Sequence, residues 1–235
     1  MNELMGVLAN LEWRIILSCR PSWRLEKLAN LKKMYFLREL VVSEQRKVTN
    51  RLFRVLSTYC QLLEVLVVDY PRDHAVTSRG IKCLTKLTKL REFKFRRCRQ
   101  ETRLDNGLLA LAKCGRLVVI DVRGDSVSRS TLVAFVQCCP QLRELAMGII
   151  EDVDSIDGAL DLFNELAKIS CNHEQLEIFI NSGYKKGEIW CSRIVKTSLK
   201  LMNSRNERLR IEISRWECIM VADPLIEMIT SPNQD

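Results

Sequence analysis

LRELVV at residues 37–42, LEVLVV at 63–68, LREFKF at 90–95, LVVIDV at 117–122 and LRELAM at 142–147 are one pattern met five times. Each is L-x-x-L-x-L with three fixed apolar places, filled by Leu37, Leu40 and Val42 in the first copy and by Leu63, Leu66 and Val68 in the second. Leu90, Phe93 and Phe95 follow, then Leu117, Ile120 and Val122, then Leu142, Leu145 and Met147. The first members lie 26, 27, 27 and 25 residues apart. A near-constant period in this range means one structural unit stacked on the next, each unable to bury its apolar face alone. Within a copy the last two places are two residues apart, the spacing that puts side chains on one face of a β-strand.

The intervals between the strands read as helices. Each holds an apolar residue followed by a small polar one: Val48-Thr49, Val76-Thr77, Leu104-Asp105 and Val127-Ser128. Thr, Asp and Ser serve as helix N-caps because a side-chain oxygen accepts a free amide proton of the first turn. Behind them apolar residues recur at helical spacing, Phe53 with Leu56, Ile81 with Leu84, Leu108 with Leu111, and Leu132 with Phe135. A narrow strand side and a broad helix side make such a stack curve. The fold expected is α/β: a leucine-rich repeat solenoid with parallel strands on the concave face and helices on the convex face.

Strand alternation sends the residues between the buried places to the concave face. These are Glu39, Val41 and Ser43, then Val65, Val67 and Asp69, then Glu92, Lys94 and Arg96. Val119, Asp121 and Arg123 come fourth, and Glu144 with Ala146 and Gly148 fifth. The row is apolar at the second repeat, ionic at the third and fourth, and small at the fifth. That mixture suits a specific protein partner better than a uniform polyanion. Because solenoids bind macromolecules along an extended concave surface, these residues are the candidate partner-binding site. The competing reading is that acidic and basic residues on neighbouring strands satisfy one another.

Charge is unevenly spread. Residues 1–120 carry 24 Lys and Arg against 11 Asp and Glu, and the remainder 13 against 18, so the net +8 resides in the first half. The densest basic stretch is KFRRCRQETR at 94–103, a candidate basic patch of Lys94, Arg96, Arg97, Arg99 and Arg103 for an acidic partner. Aromatic residues suited to base stacking are not interleaved with these charges, which weighs against nucleic acid. A solvated rim that keeps an elongated protein soluble is the plainer explanation.

Cysteine use follows the same period. Of ten cysteines, Cys60, Cys114 and Cys139 each lie three residues before the first apolar place, and Cys98 just follows a strand. This is the position of a small buried residue packing as a hydrophobe. Zinc needs closely paired ligands, and the chain offers only Cys138-Cys139 and Cys171 with His173, so neither metal nor cofactor is expected. Nothing resembles a secretory signal, so disulfides are not expected and the chain is placed in the cytoplasm or nucleus. The longest apolar runs, such as Ile15 to Leu17, are far short of a membrane span.

Catalysis finds no constellation either. His74 and His173 fall in separate loops without a neighbouring nucleophile, and GxxxxGK[ST] is missing. Glu151, Asp152 and Asp154 read as a solvated connection. The chain is read as a non-enzyme.

The segments CQLLEVLVV (60–68), CGRLVVIDV (114–122) and CCPQLRELAM (138–147), with LDNGLLALAKC (104–114), resemble the cysteine-containing subclass of leucine-rich repeats. That subclass occurs in F-box/leucine-rich-repeat proteins and antagonist of mitotic exit network proteins, and the resemblance covers residues 34–148. It implies a protein-interaction module, most concretely substrate recognition for a cullin-based ubiquitin ligase. The chain would then act as a monomer within a complex, its N-terminus reaching the ligase adaptor through an F-box. A non-degradative scaffold or inhibitor is the first alternative, and a nucleic-acid-binding repeat protein, which the charge pattern favours less, is the second.

Residues 1–33 depart from the F-box pattern. Leu4, Val7, Leu8 and Leu11 have helical spacing, and IILSCRPSWRL supplies Cys19 and Trp23. The Leu-Pro opening of an F-box is missing, however, and the Cys-to-Trp spacing is longer than usual. The segment is read as an N-terminal cap with an irregular first repeat, or as a degenerate F-box remnant; a third reading makes the chain a piece of a longer product. Residues 149–235 are read as longer, irregular repeats and a C-terminal cap. They include a helix from Ile156, strands LEIFI (176–180) and LRIEI (209–213), and one helix over 188–202. A turn at 183–187 and a terminal helix around Pro224 complete the expectation.

Overall fold

The computed structural model describes residues 14–17, 32–43, 47–69, 73–96, 104–124, 126–181, 187–190 and 192–214. Its strands are β1 (Arg14–Leu17), β2 (Glu39–Ser43), β3 (Lys47–Thr49), β4 (Val65–Asp69), β5 (Asp73–Ala75), β6 (Glu92–Arg96), β7 (Val119–Val122), β8 (Glu144–Met147), β9 (Leu176–Asn181) and β10 (Leu209–Ser214). Eight of these form one open sheet in the order β1-β2-β4-β6-β7-β8-β9-β10, every neighbour parallel. The short strands β3 and β5 pair separately, also in parallel.

Parallel neighbours taken in chain order require a crossover in each interval. The crossovers contain α1 (Asn50–Tyr59), α2 (Ser78–Cys83), α3 (Asp105–Ala112), α4 (Arg129–Cys138), α5 (Ile156–Ile169), α6 (Gly187–Trp190) and α7 (Arg193–Arg205). The fold is therefore α/β, with helices recurring between parallel strands.

Register explains why the pattern repeats. Leu40, Leu66, Phe93, Ile120, Leu145, Ile178 and Ile211 are successive partners across seven strands. All seven are buried, none above 1% exposed. Removing a leucine or phenylalanine side chain from water contributes about 1.5–3 kcal/mol, so this single row is a large part of what holds the sheet in register. A one-residue slip would turn the whole row outward. The helices cover the same face: the Phe53 ring of α1 stands edge-on to Phe93 and Phe95, with centroids 6.4 and 5.9 Å away. Phe53, Leu56, Ile81, Leu84, Leu108, Leu111, Leu132 and Phe135, the apolar residues expected at helical spacing, are all fully buried.

The caps differ from expectation at two places. Thr49 and Ser128 cap their own helices through side-chain oxygens that accept from Arg51 N and Thr131 N. Thr77 stands at the cap of α2 without such a bond. It is held from the preceding unit, where the Asn50 side chain donates to Thr77 Oγ1 and accepts from Thr77 N, both at 2.9 Å. Asp105 is the first residue of α3, not its cap. Its carboxylate reaches the next unit and accepts from Ser128 N and Oγ, each at 2.8 Å. Asp152 repeats the motif by accepting from Arg129 N at 2.6 Å. These side chains tie successive helix N-termini together.

Close helix packing sets one glycine. A Cβ added at Gly107 would lie 2.6 Å from the Ser78 carbonyl oxygen and 2.8 Å from the Ile81 Cβ, so α2 and α3 meet at a distance only glycine permits.

The later units are longer and still deliver β9 and β10 into the same sheet. The single helix expected over 188–202 is two, α6 and α7. Ser192 N donates to Ile189 O, and Ser192 Oγ then accepts from Val195 N, a stop followed by a fresh N-cap. The expected helix at residues 4–11, residues 183–186 of the turn expected at 183–187 and the helix around Pro224 lie outside the described residues; Gly187, expected to close that turn, is the first residue of α6.

Candidate interaction surface

Alternation places every second strand residue on the sheet face away from the helices. Glu39, Val41 and Ser43 on β2, Val65, Val67 and Asp69 on β4, and Glu92, Lys94 and Arg96 on β6 are all half-buried, each separated by a fully buried neighbour. Val119, Arg123 and Glu144 continue the face. Register makes the rows explicit. Glu39, Val65, Glu92, Val119, Glu144 and Glu177 stand side by side, carboxylates and valines alternating until the last pair. Val41, Val67, Lys94, Asp121, Ala146 and Phe179 form the next row.

Three of the expected partner-binding residues are exceptions. Asp121 is completely buried, its register neighbour Ala146 is 1% exposed and Gly148 is buried as well, so none of the three meets a partner directly. Two arginines close over the carboxylate. Arg96 Nε donates to it at 2.7 Å, and Arg123 donates through Nη2 at 2.6 Å and Nε at 2.9 Å. Arg96 also reaches Asp69 at 3.3 Å.

The electrostatics follow from this geometry. Burial works to push the Asp121 carboxyl up, but the hydrogen bonds from Arg123 and Arg96 and their positive charges outweigh it, leaving the group below its ordinary value. Burial dominates at Asp69 and raises it despite the attraction of Arg96. Arg96 loses hydration on burial, yet its bond to Asp121 holds the guanidinium more firmly charged.

Two arginines and two aspartates thus neutralise one another on the open face. Lys94 is 3.8 Å from Glu92. The basic patch read from 94–103 is accordingly divided: its two strand residues are engaged with carboxylates, while Arg97, Arg99 and Arg103 lie outside the described residues. What remains for a partner is a valine surface, Val41, Val65, Val67 and Val119, beside a rigid charge cluster. Phe179, Glu177 and Arg210 extend the face. Sequence reading left them out because the units between β8 and β10 lengthen from the earlier period, to 34 and 33 residues.

Burial bears on the cysteines and histidines too. Cys60 and Cys139 are fully buried, and burial pushes their thiols up to about 12 and about 11. Cys114, at the equivalent place, is half-buried. His173 occupies the same place one unit after Cys139, three residues ahead of Leu176. It is 2% exposed, its ring nitrogens 2.8 Å from the Val136 carbonyl oxygen and 3.2 Å from that of Leu142. The ring therefore fills a packing position that two turns of backbone satisfy.

Among the described residues no group of three His, Cys, Asp or Glu side chains is arranged to hold a metal ion, and no helix is long and apolar enough to cross a membrane. No protein-family model and no curated protein matches the chain.

Proposed function

We propose that the chain is a leucine-rich repeat solenoid acting as a protein-interaction module in the cytoplasm or nucleus. Its partner is a protein that lies along the open, concave face. The carrying observation is the buried row from Leu40 to Ile211, because a register kept over seven strands leaves one accessible, regularly spaced residue set on the opposite side. Valines at Val41, Val65, Val67 and Val119 supply an apolar centre, and the Arg96–Asp121–Arg123 cluster supplies a fixed polar margin, the arrangement of a specific protein interface. The role needs no reaction chemistry of the chain's own.

In its most concrete form the module selects substrates for a cullin-based ubiquitin ligase, as the resemblance of the repeats implies. A non-degradative scaffold or inhibitor is the second reading. It draws support from β1: Arg14–Leu17 continue the sheet beside β2, within the segment a helical F-box would occupy.

The test is affinity capture of the full chain followed by mass spectrometry, alongside Val67→Arg, which sets a charge in the valine surface. Substrate recognition predicts the cullin adaptor in both samples and substrates lost only from the variant. Capture without adaptor, still sensitive to Val67→Arg, selects the scaffold. An identical protein set from both chains would refute binding through this face.

A further inference from the structure

We propose that the rim where the helices return to the strands is a second interaction surface, one that takes a single-stranded nucleic acid along its backbone. It is separate from the open face and rests on different residues.

Five successive turns of this rim carry the surface, residues 32–38, 60–64, 84–91, 112–118 and 138–143, leading into β2, β4, β6, β7 and β8; beyond them the rim continues into β9 and β10, where Glu174 and Glu207 are exposed and end the basic run. They are held in line by their own backbones. Glu64 N donates to Arg38 O at 2.7 Å, and Arg91 N to Glu64 O, Val118 N to Arg91 O and Arg143 N to Val118 O at 2.8 Å each. At the usual spacing of about 4.8 Å between strands, four steps make a straight edge roughly 19 Å long.

The edge is strongly basic. The first turn carries Lys32, Lys33 and Arg38, and the third Lys86, Lys89 and Arg91. The fourth adds Lys113 and Arg116, and the fifth Arg143. One carboxylate faces these nine cations within the five turns, Glu64, and Arg38 holds it at 2.9 Å. Lys33, Lys86, Lys89, Arg91, Lys113 and Arg143 are exposed and form no ion pair among the described residues. This contrasts with the open face, where Arg96 and Arg123 are engaged with aspartates.

Aromatic rings lie at one end of the same edge. Tyr35 and Phe36 are 57% and 51% exposed, their ring centroids 4.2 Å apart. The Tyr59 ring, at the end of α1, is 38% exposed, with Lys32 Nζ 5.5 Å from its centroid. A line of cations, six of them without an ion pair among the described residues, along with exposed rings suits phosphates and unstacked bases together, the combination that single strands offer and duplexes do not. An acidic protein fits less well. A protein interface requires an apolar centre, whereas the exposed large apolar side chains of this rim, Tyr35, Phe36, Tyr59 and Leu62, stop at its second turn.

The experiment is fluorescence anisotropy of the purified full chain with a 20-nucleotide oligouridylate, from 50 to 200 mM NaCl. A 20-base-pair duplex and polyglutamate serve as competing probes. The single strand should bind, with affinity falling as salt rises. Lys86→Glu with Lys89→Glu should lower affinity at least about tenfold and reduce the log–log salt slope by about 1.4, two phosphate contacts at about 0.7 each. Tyr35→Ala with Phe36→Ala should weaken binding about tenfold or more while leaving the slope unchanged. Lys196→Glu with Lys200→Glu on α7 changes net charge equally and should have little effect. All these side chains are exposed, and matching circular dichroism spectra verify each fold. No binding at 50 mM salt, equal binding of the duplex, or equal losses from the α7 and rim variants would overturn the proposal. Preference for polyglutamate, lost in the rim variants, would assign the edge to acidic proteins and overturn it too.

Discussion

Asp121→Ala is the sharpest test of how the open face is held. The side chain is fully buried and accepts hydrogen bonds from Arg96 and Arg123. Removing one partner of a buried ion pair costs about 3–5 kcal/mol when the other charge stays buried. Here the guanidinium side chains are 26% and 35% exposed, and Arg96 keeps Asp69, so both cations retain water or a partner. The expected loss is therefore smaller, about 2–3 kcal/mol. By contrast, Glu64→Ala removes a pair whose members are 55% and 39% exposed and should cost no more than about 0.5 kcal/mol.

The Asp121 loss should also depend on pH. The folded chain holds this carboxyl below its ordinary value, so its contribution is complete above the unfolded value of about 4 and fades as pH falls through the folded one. Asp69, raised by burial, works in the opposite direction and loses its contribution as pH rises through the carboxylate range. Urea unfolding followed at 222 nm, at pH 7 and again near pH 3, measures the gap between wild type and Asp121→Ala. The gap should narrow in acid. A gap under about 0.5 kcal/mol at pH 7, or one that widens in acid, would refute the ion-cluster account.

Other consequences can be measured on the same material. Phe93→Ala empties a fully buried site against Phe53 and Phe95 and should cost about 3–5 kcal/mol in urea unfolding. Gly107→Ala should destabilise by about 1–3 kcal/mol although alanine favours helix, because its methyl would press on the Ser78 carbonyl; a stabilised variant would show that α2 and α3 can separate. Ellman's reagent at pH 8 should modify exposed Cys171 quickly and leave Cys60 and Cys139 untouched until the chain unfolds. Mass-spectrometric mapping of fast labelling at Cys60 would contradict its burial.

How far the sequence was legible depends on the scale of the interaction. The apolar places from Leu37 to Met147 declared both strand and face, because burial on one side of a sheet is a local, period-two property. The strands at Leu176 and Leu209 were legible for the same reason, despite longer units. Bonds between units were not. Asp105 carries the composition of a cap, and only the neighbouring helix start shows that its carboxylate serves Ser128. Val119 and Asp121 differ by one strand step on the same face, yet one is accessible and the other covered. The covering residues are Arg123, two positions on, and Arg96, a full unit earlier, and the second contact is invisible to any local pattern.

Charge shows the same division between total and place. The excess of Lys and Arg before residue 121 is evident from counting, and its densest run begins at Lys94 on the open face. Yet that is where Asp69, Asp121 and Glu92 offset Arg96, Arg123 and Lys94. Desolvation selects this outcome, since a cation set among half-buried valines is costly without a carboxylate beside it. A turn that ends a helix imposes no such requirement. Lys86, Lys89 and Lys113 keep their ammonium groups in water, and Lys86 and Lys113 also sit where helix carbonyls favour positive charge. Burial thus moves the unneutralised charge away from the sheet face toward the rim. The two proposed surfaces therefore differ in chemistry, half-buried valines beside neutralised charge on the sheet face and exposed cations along the turns.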